Sequence, residues 1–462
     1  MKTLSNINEK IGRYRWTICG LIFFATTVNY LDRQVLSLLQ PTLEKIYGWN
    51  NTDYANITAV FQFVYALSML LAGRVVDRLG TKGGYAWAIV IWSIGAMIHA
   101  GVYFVHPESK ILLWGMVVPL SVLGFMVCRT VLAFGEAGNF PAAIKATAEW
   151  FPKKERSFAT GIFNSGTNVG AILAPLTVPV MSRLWGWEWA FIIVGALGFV
   201  WLIFWLIMYD LPEKKRQQGT IGQAEYNYIH SDDETPVAGH EAQPGTNKKI
   251  SWLKLLTFRQ TWMFTIGKFM TDGVWWFFLF WLPGYLNKQY GMINEAVMLP
   301  LAVLYSMTMI GSIGGGKFPE YFINKGLIVY KARMRAMLVI AFFPLVVLLA
   351  QPLGSISFWI PVLLIGVGAS AHQAWSANIF TTVSDLFPKK AIASVTGIGG
   401  MAGGMGGVVV SKCGGWIFDH FEKQGHLETG YTIMFSFCAV AYLLAWGIMK
   451  LLVPRFAPIK EC

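Results

Sequence analysis

Four ionisable residues interrupt segments of the chain that are otherwise apolar. Asp32 and Arg33 lie in "VNYLDRQVLS", and Arg129 and Glu136 lie in "CRTVLAFGEAGNFP". A charge at the centre of a membrane-spanning helix costs about 3 kcal/mol, so such residues usually face a pathway for a substrate or an ion. Neighbouring side chains on a helix point about 100° apart, so Asp32 and Arg33 need separate partners.

We predict an ion pair between Asp32 and Arg129, which leaves Arg33 free to hold an anion. Glu136 lies about 10 Å from Arg129 along the same helix face, where its carboxyl group is suited to carry one proton per cycle. The alternative is a purely structural network of ion pairs that fixes the first and fourth helices to each other.

Polar side chains also interrupt later apolar segments. In "GKFMTDGVWW", Lys268 and Asp272 are four residues apart, and we predict an ion pair with a structural or gating role. The tryptophans that follow, Trp275, Trp276 and Trp281, are interpreted as bundle core, with stacking surfaces of a substrate cavity as the alternative. In "GASAHQAWSANIF", hydrogen-bonding side chains and an aromatic plate suit a hydroxylated, ring-shaped ligand, with interhelical hydrogen bonding as the alternative. We predict substrate contacts from this cluster and from two weaker positions: His372, Gln373, Trp375, Asn378, Tyr65 and Asn168.

These charges are exceptional because the chain is strongly apolar. Its 462 residues are 55% hydrophobic and 13% charged, with a mean hydropathy of +0.49, whereas a soluble domain is about 25% charged. Apolar runs that are long enough to cross a ~30 Å hydrocarbon core as helices recur from end to end. We predict an all-α membrane protein with twelve transmembrane helices in two six-helix halves. The predicted spans are residues 16–38, 54–76, 85–104, 113–138, 157–181, 188–209, 260–286, 297–317, 333–351, 357–384, 391–415 and 430–452.

An internal repeat relates the two halves. "EWFPKKERSFATGIF" (residues 149–163) recurs as "DLFPKKAIASVTGIG" (residues 385–399) on the same side of the membrane. Parallel repeats of this kind enclose a site near the bilayer midplane. We therefore predict an N-terminal half at 1–210, a cytoplasmic linker at 211–257 and a C-terminal half at 258–462.

A glycine-rich run, "GIGGMAGGMGG", resembles a dinucleotide-binding loop, but it lies in an apolar helix with no preceding strand. Gly399, Gly403 and Gly407 recur every four residues, which predicts one helix face for tight packing. No metal set and no nucleophile–base pair has suitable spacing. We therefore expect a protein that is not an enzyme and that has no metal and no cofactor.

The net charge of +12 is distributed in a way that indicates a membrane rather than a nucleic acid. Lysine and arginine cluster in alternate loops, which is the pattern of loops that stay in the cytoplasm. We expect a multi-pass protein of the inner (plasma) membrane with both termini cytoplasmic. The lipid bilayer, protons and a small organic anion are the predicted partners, nucleic acid is excluded, and the protein is expected to be a monomer.

The segment "GRVVDRLGTKGG" follows the second span. Its spacing resembles the G-x-x-x-D-R-x-G-x-K motif of the major facilitator superfamily, and the motif implies a cytoplasmic gate latch. Glycine in such a motif permits close helix contact and tight turns. The residues that match the motif are Gly73, Asp77, Arg78, Gly80 and Lys82.

Nearly the whole chain resembles the anion:cation symporter family of this superfamily, and within it the hexuronate transporters. "NYLDR" matches the first-helix motif of the family, which implies that Tyr30 and Arg33 bind the substrate carboxylate and that Asp32 takes part in proton coupling. "CRTVLAFGEAGNFP" matches the fourth-helix motif, which implies Arg129 as the partner of Asp32 and Glu136 as a second proton carrier. Tyr65 falls where aldonate transporters have a binding tyrosine.

Departures from the aldonate and glucarate members favour the hexuronate branch. Met401 and Met405 stand near positions where those members carry asparagines, and Thr167 and Asn168 stand where they carry a glutamine. The resemblance implies proton-coupled import of glucuronate or galacturonate by alternating access. The alternatives are transport of an aldonate, aldarate or aromatic acid, and a transporter-like sensor that signals through residues 211–257.

Overall fold

The computed structural model describes residues 11–113, 116–231, 252–387 and 389–459. Within these residues the chain is almost entirely helical. The α-helices are α1 (Tyr14–Tyr47), α2 (Asn51–Met97), α3 (Leu120–Glu136), α4 (Asn139–Trp150), α5 (Lys153–Trp185), α6 (Trp187–Met208), α7 (Pro212–Gln217), α8 (Gln223–Ile229), α9 (Trp252–Leu255), α10 (Arg259–Tyr290), α11 (Met298–Ile323), α12 (Val329–Phe342), α13 (Ala350–Leu353), α14 (Trp359–Leu386), α15 (Lys389–Lys423) and α16 (Leu427–Leu452). Three 3₁₀ helices lie at Ile98–Phe104, Asn294–Val297 and Phe343–Leu349.

Each predicted span falls on one or more of these helices, which we number TM1 to TM12. TM1 is α1, TM2 and TM3 are the two parts of α2, and TM4 consists of α3 and α4. TM5 and TM6 are α5 and α6, TM7 is α10, and TM8 is α11. TM9 runs from α12 to α13, and TM10 to TM12 are α14 to α16. Gly80 divides α2 because its φ of 73° and ψ of 162° are not helical, and glycine adopts a positive φ without strain.

Eight helical stretches of the described chain are long and apolar enough to cross a membrane. Among the helices assigned to TM1 to TM12, those that fall short of that criterion are α1, α5, α10 and α14. Charged, amide and hydroxyl side chains lower the hydropathy of these four helices. Three of them, α1, α5 and α14, carry eight of the eleven residues predicted for substrate binding and proton coupling.

The fourth span differs from its predicted limits at both ends. Residues predicted to begin the helix belong instead to an antiparallel hairpin of β1 (Lys110–Leu113) and β2 (Met116–Pro119), in which Lys110 lies opposite Pro119. The helix then breaks between Glu136 and Asn139. Pro141 has no N–H to donate to the carbonyl of Ala137, which explains the break. Glu136 consequently lies at the last turn of α3.

Among the described residues, the largest contacts between the two halves lie along three helix pairs. TM1 packs on TM7, TM2 packs on TM11, and TM5 packs on TM8. The glycine run of TM11 permits close contact with TM7 of the same half and with TM2 of the other half. A Cβ atom on Gly407 would lie 2.6 Å from the ring of Trp276 in TM7, and one on Gly404 would lie 2.6 Å from the Cβ of Ala66 in TM2. The prediction of tight packing is therefore confirmed.

The repeated sequence gives the same local structure in both halves. Phe151 and Phe387 end their helices in extended conformations, with φ of −125° and −119° respectively. Each precedes a proline, and the ring of a following proline disfavours helical backbone at that position. The next helix begins at Lys153 in one half and at Lys389 in the other.

The segment predicted to link the halves begins with two short helices, α7 and α8, that pack against the start of TM1. The Glu225 carboxylate accepts a hydrogen bond from the backbone N–H of Arg15 at 3.1 Å. The Arg15 side chain also forms an ion pair with Glu155 of TM5 at 3.1 Å. Residues 232–251 of the predicted linker lie outside the described residues. We call this end of the bundle the terminal end, since TM1 begins and TM12 ends there, and the other end the opposite end.

Candidate functional site

The centre of the first half holds a buried ion pair between Arg33 and Glu136. The Arg33 guanidinium donates to Oε2 of Glu136 through Nη2 at 2.6 Å and through Nε at 2.9 Å. Arg33 is 1% exposed and Glu136 is 0% exposed. Nη2 also donates to the amide oxygen of Asn29, one helical turn away, at 3.4 Å. TM1 and TM4 are thus joined through a pair of charges that water does not reach.

This pairing differs from the predicted one. Arg33 is not free, because Glu136 neutralises it, and no Asp32–Arg129 ion pair forms among the described residues. Arg129 instead donates to the backbone carbonyl of Arg33 at 3.4 Å. Both predictions about these partners are therefore wrong for this conformation. The packing of TM4 on TM1 brings the Glu136 carboxyl group beside Arg33, and pairing there avoids the cost of an unpaired buried charge.

Several polar atoms around the pair have no hydrogen-bond partner in the described chain. They are Oδ2 of Asp32, Oε1 of Glu136, and Nε and Nη1 of Arg129. Asp32 remains within electrostatic range of Glu136 and Arg129. Buried polar atoms are rarely left without partners in proteins, so these atoms are the ones that water, a proton or a bound anion would satisfy.

Four rings of the described residues surround the Arg33 guanidinium, and we call them the aromatic cage. The distances from Cζ to the ring centroids are 4.8 Å for Tyr30, 4.8 Å for Tyr65, 5.1 Å for Trp276 and 5.4 Å for Phe61. The negative faces of the rings stabilise a cation that has lost its water. Sequence reasoning identified the two tyrosines, missed Phe61, and interpreted Trp276 as bundle core with a cavity stacking surface as the alternative. The four-residue spacing of Phe61 and Tyr65 on TM2 was the available signal for Phe61.

Glycine contacts with TM3 position the fourth helix and hence Glu136. A Cβ atom on Gly95 would lie 2.5 Å from the backbone nitrogen of Leu132, and one on Gly138 would lie 2.6 Å from the Cβ of Ala88. The two backbones therefore approach closely on both sides of Glu136. Just after the break, the Tyr85 hydroxyl donates to the amide oxygen of Asn139 at 2.6 Å.

The second half contains a separate group of buried polar side chains. Lys268 and Asp272 form the predicted ion pair, with 2.6 Å between Nζ and Oδ2. Nδ1 of His372 lies 2.8 Å from the hydroxyl of Tyr442, and its ring stacks on Trp275 at 5.1 Å with an interplanar angle of 9°. Trp375 packs edge-on against Tyr442 at 5.5 Å.

Two predicted substrate contacts instead join helices. The Asn378 side chain donates to the carbonyl of Gly315 in TM8 at 2.8 Å, which is the interhelical alternative. The amide oxygen of Asn168 in TM5 accepts a hydrogen bond from Thr308 of TM8 at 3.1 Å, so this contact crosses between the halves. Gln373 is half-buried. The structure therefore gathers Tyr30, Asp32, Tyr65, Arg129 and Glu136 about Arg33, whereas His372, Trp375 and Asn378 contact other parts of the second half.

The motif after TM2 lies at the terminal end. Gly80 turns the chain, but a Cβ atom on Gly73 would meet nothing within 4 Å, so the predicted close helix contact of Gly73 is wrong. Arg78 is exposed, and the side chain of Asp77 lies outside the described part of the chain. Lys82 donates to Asp210, just after TM6, at 3.3 Å. Burial opposes ionisation of Asp210, but the N–H of Leu211 and the Lys82 ammonium outweigh that effect and lower its pKa.

A polar network that sequence reasoning missed closes the opposite end of the bundle. Asp419 of TM11 accepts hydrogen bonds from the backbone N–H groups of Asn51 and Thr52, each at 2.9 Å. Its carboxylate therefore caps the positive N-terminus of TM2 from the other half. Lys288 of TM7 pairs with Glu422 at 3.0 Å and donates to the Asn51 side chain at 3.0 Å. These contacts hold the two halves together at this end.

Comparison of the sequence with known proteins identifies a superfamily and similar transporters. The sequence profile of the Major Facilitator Superfamily matches residues 22–411. The chain is 31% identical over 457 residues to the hexuronate transporter of Escherichia coli (strain K12), a match that covers 96% of this chain and 95% of that protein. It is 33% identical over 313 residues to the galacturonate transporter of Dickeya chrysanthemi, covering 68% of this chain and 84% of that protein.

Among solved structures, the fold is similar to the crystal structure of a D-xylose-proton symporter. The TM-score is 0.70, the sequence identity is 14%, and the match covers 96% of this chain and 98% of that chain. At this level of identity the likeness shows a shared fold and carries no information on the substrate.

Proposed function

Because the chain belongs to the Major Facilitator Superfamily, and within it to the family of the hexuronate transporter of Escherichia coli, we propose that it imports hexuronates such as glucuronate and galacturonate together with protons. Membership makes the chain a multi-pass membrane transporter with the twelve-helix, two-half fold, and the predictions of fold and family are confirmed. The substrate class rests on the two relatives named above.

The observation that carries proton coupling is the buried Arg33–Glu136 pair. An ionised Glu136 occupies the guanidinium at 2.6 Å. A substrate carboxylate needs the same donors, and placing it beside an ionised Glu136 would bring two negative charges together in a site of low dielectric constant. Protonation of Glu136 releases Arg33 for the substrate. A proton and an anion therefore favour each other's binding.

Asp32 and Arg129 extend this linkage. In the proposed cycle, Asp32 is the second group that accepts a proton, and Arg129 balances the charge of whichever carboxylate is ionised. Loss of the protons on the other side of the membrane restores acidic partners to both arginines and expels the anion. Tyr30 and Tyr65 lie against the Arg33 guanidinium, where they are placed to contact the substrate carboxylate.

The second half supplies the remainder of the proposed substrate site. His372 and the amide nitrogen of Asn378 have partners in Tyr442 and Gly315, so we assign these two groups to positioning TM10. Gln373 is half-buried, and the indole N–H of Trp375 has no acceptor among the described residues, so these two are the proposed hydroxyl contacts. Asn168 lies at the crossing of TM5 and TM8 and is proposed to contact the substrate when that crossing opens.

The proposed membrane arrangement follows from the same geometry. The terminal end, with the linker at 211–257, faces the cytoplasm, and residues 1–210 and 258–462 rock against each other about the central site. The capped TM2 closes the opposite end in the present conformation. The motif at Gly73, Asp77, Arg78, Gly80 and Lys82 is the proposed latch of the terminal end. A single chain contains both halves, so a monomer in the inner membrane is sufficient for transport.

Glu136→Gln tests the coupling. In proteoliposomes with an inward pH gradient, the variant should lose uphill accumulation of labelled glucuronate but retain counterflow exchange. Asp272→Asn is the matched control, because Asp272 is also a membrane-embedded carboxylate with a cationic partner, and it should retain uphill accumulation. Undiminished accumulation by Glu136→Gln would contradict the coupling role.

A further inference from the structure

Within the described chain, Trp276 is the member of the aromatic cage that belongs to the second half. Tyr30 lies on TM1, and Phe61 and Tyr65 lie on TM2, so these three rings move together with Arg33. Trp276 lies on TM7, with its ring centroid 5.1 Å from the Arg33 guanidinium carbon. Relative motion of the halves therefore changes the position of Trp276 above the guanidinium.

The second half holds Trp276 by packing. A Cβ atom on Gly407 of TM11 would lie 2.6 Å from the indole ring, so this glycine makes room for the ring. Phe280, one turn along TM7, packs on the indole at 5.3 Å. Across the boundary between the halves, Trp276 meets the rings of Phe61 and Tyr65 at 6.2 Å and 6.1 Å. Trp276 is thus a rigid plate that one half presents to the charged centre of the other.

The enclosure of Arg33 makes this plate relevant to specificity. Arg33 is 1% exposed, so an anion reaches the guanidinium only when part of the cage withdraws. The half that carries Trp276 is the half that moves relative to Arg33. An anion that enters by this route lies between the guanidinium and the indole face.

The indole face distinguishes ring-shaped acids from linear ones. A pyranose ring presents a flat face of C–H groups, whose slight positive charge complements the negative face of an aromatic ring. An open-chain acid of the same size directs hydroxyl groups to all sides and offers no such face. Burying those hydroxyl groups against indole without hydrogen bonds is unfavourable.

We propose that Trp276 is a specificity-determining residue, which covers the C–H face of a cyclic uronate held by Arg33 and so selects cyclic over open-chain sugar acids. The inference rests on the proposed function, since it requires that a sugar-acid carboxylate binds at Arg33. It adds a residue of the second half to the recognition of the substrate ring.

Affinity measurements on purified protein test the proposal. Glucuronate and galacturonate are titrated calorimetrically into the unaltered protein, Trp276→Leu and Trp276→Phe, and galactonate, an open-chain acid, is measured by competition against labelled glucuronate. Loss of one aromatic contact should weaken uronate binding roughly tenfold in Trp276→Leu and less in Trp276→Phe. Galactonate affinity should change by less than about twofold, since no aromatic–ring contact is lost.

Trp281→Leu is the matched control. Trp281 is also a buried tryptophan of TM7, but it packs on Tyr54 and Phe418, and its N–H has no acceptor in the described chain. The Trp281→Leu variant should bind uronates and galactonate with the same affinities as the unaltered protein. Equal losses for uronates and galactonate in Trp276→Leu, or an unchanged uronate affinity, would overturn the proposal. Failure of the unaltered protein to bind any uronate would overturn the proposed function itself.

Discussion

The polar centre of the first half and the polar cluster of the second half are satisfied to different degrees. We call Asp32, Arg33, Arg129 and Glu136 the N-half centre, and His372, Asn378 and Tyr442 the C-half cluster. Three of the four residues in the N-half centre retain polar atoms without partners in the described chain. In the C-half cluster, His372 lies 2.8 Å from Tyr442, and Asn378 donates to the Gly315 carbonyl at 2.8 Å. Among the described residues, one of the three members of this cluster, Asn378, retains an atom without a partner, its amide oxygen.

This difference separates binding from stability. A buried ion pair adds little net stability, since the loss of hydration offsets the attraction of the charges. The unpaired polar atoms of the N-half centre therefore support its proposed role as a site for protons and an anion more than a purely structural role. A satisfied hydrogen bond between helices contributes about 1 kcal/mol, so the C-half cluster is expected to stabilise the fold.

Removal of the Arg33 charge is the largest expected effect. Arg33→Ala should weaken uronate binding by about 3 kcal/mol, or roughly a hundredfold, because truncating one side of a buried charge pair costs that amount or more. Arg33→Lys should recover part of the affinity, since a single ammonium cannot reproduce the fork of the guanidinium. Titration calorimetry with glucuronate measures both.

Arg333→Ala is the control for this experiment. Arg333 forms an ion pair with Asp385 at 2.9 Å near the terminal end of the second half. Its loss removes a partly buried ion pair without altering the N-half centre, so binding should persist. Equal uronate affinity of Arg33→Ala and the unaltered protein would contradict the proposal that the N-half centre binds the substrate.

The sequence predicted the fold well because its signals are local. Apolar runs located every span, the repeated Phe-Pro turns placed equivalent breaks, and the glycine spacing of TM11 predicted its packing face. The predicted start of TM4 was wrong because the sequence from Leu113 to Pro119 is apolar, and hydropathy does not distinguish a β-strand from a membrane helix.

The sequence predicted which residues gather at the N-half centre but not which of them pair with each other. Helix periodicity showed that Asp32 and Arg33 need different partners, but the choice of partner depends on how TM1 and TM4 are rotated and where TM4 breaks. The cap that Asp419 places on TM2 was missed for a similar reason, since its two sides are more than 360 residues apart in the chain. Contacts between the halves leave no periodic signal in either segment.

A smaller effect is expected from removing the TM8–TM10 hydrogen bond. Asn378→Ala leaves the Gly315 carbonyl without its donor, which should cost about 1–3 kcal/mol of stability. Uronate affinity of the folded protein should remain within about threefold, a change below 1 kcal/mol. Thermal unfolding and calorimetry on the same preparation separate these outcomes. A large loss of uronate affinity with unchanged thermal stability would show that Asn378 contacts the substrate and does not mainly stabilise the fold.

The smallest expected effect concerns His372, whose side chain is the one in the C-half cluster that ordinarily titrates near neutral pH. Its Nδ1 is engaged with Tyr442, and its ring lies flat on Trp275. His372→Phe keeps the stacked ring and removes one hydrogen bond, so stability should fall by about 1 kcal/mol. The pH dependence of uphill glucuronate uptake should be unchanged, because in the proposed cycle the coupled protons belong to Glu136 and Asp32. A shifted pH profile in this variant would place a transported proton in the second half and contradict the division of roles between the two regions.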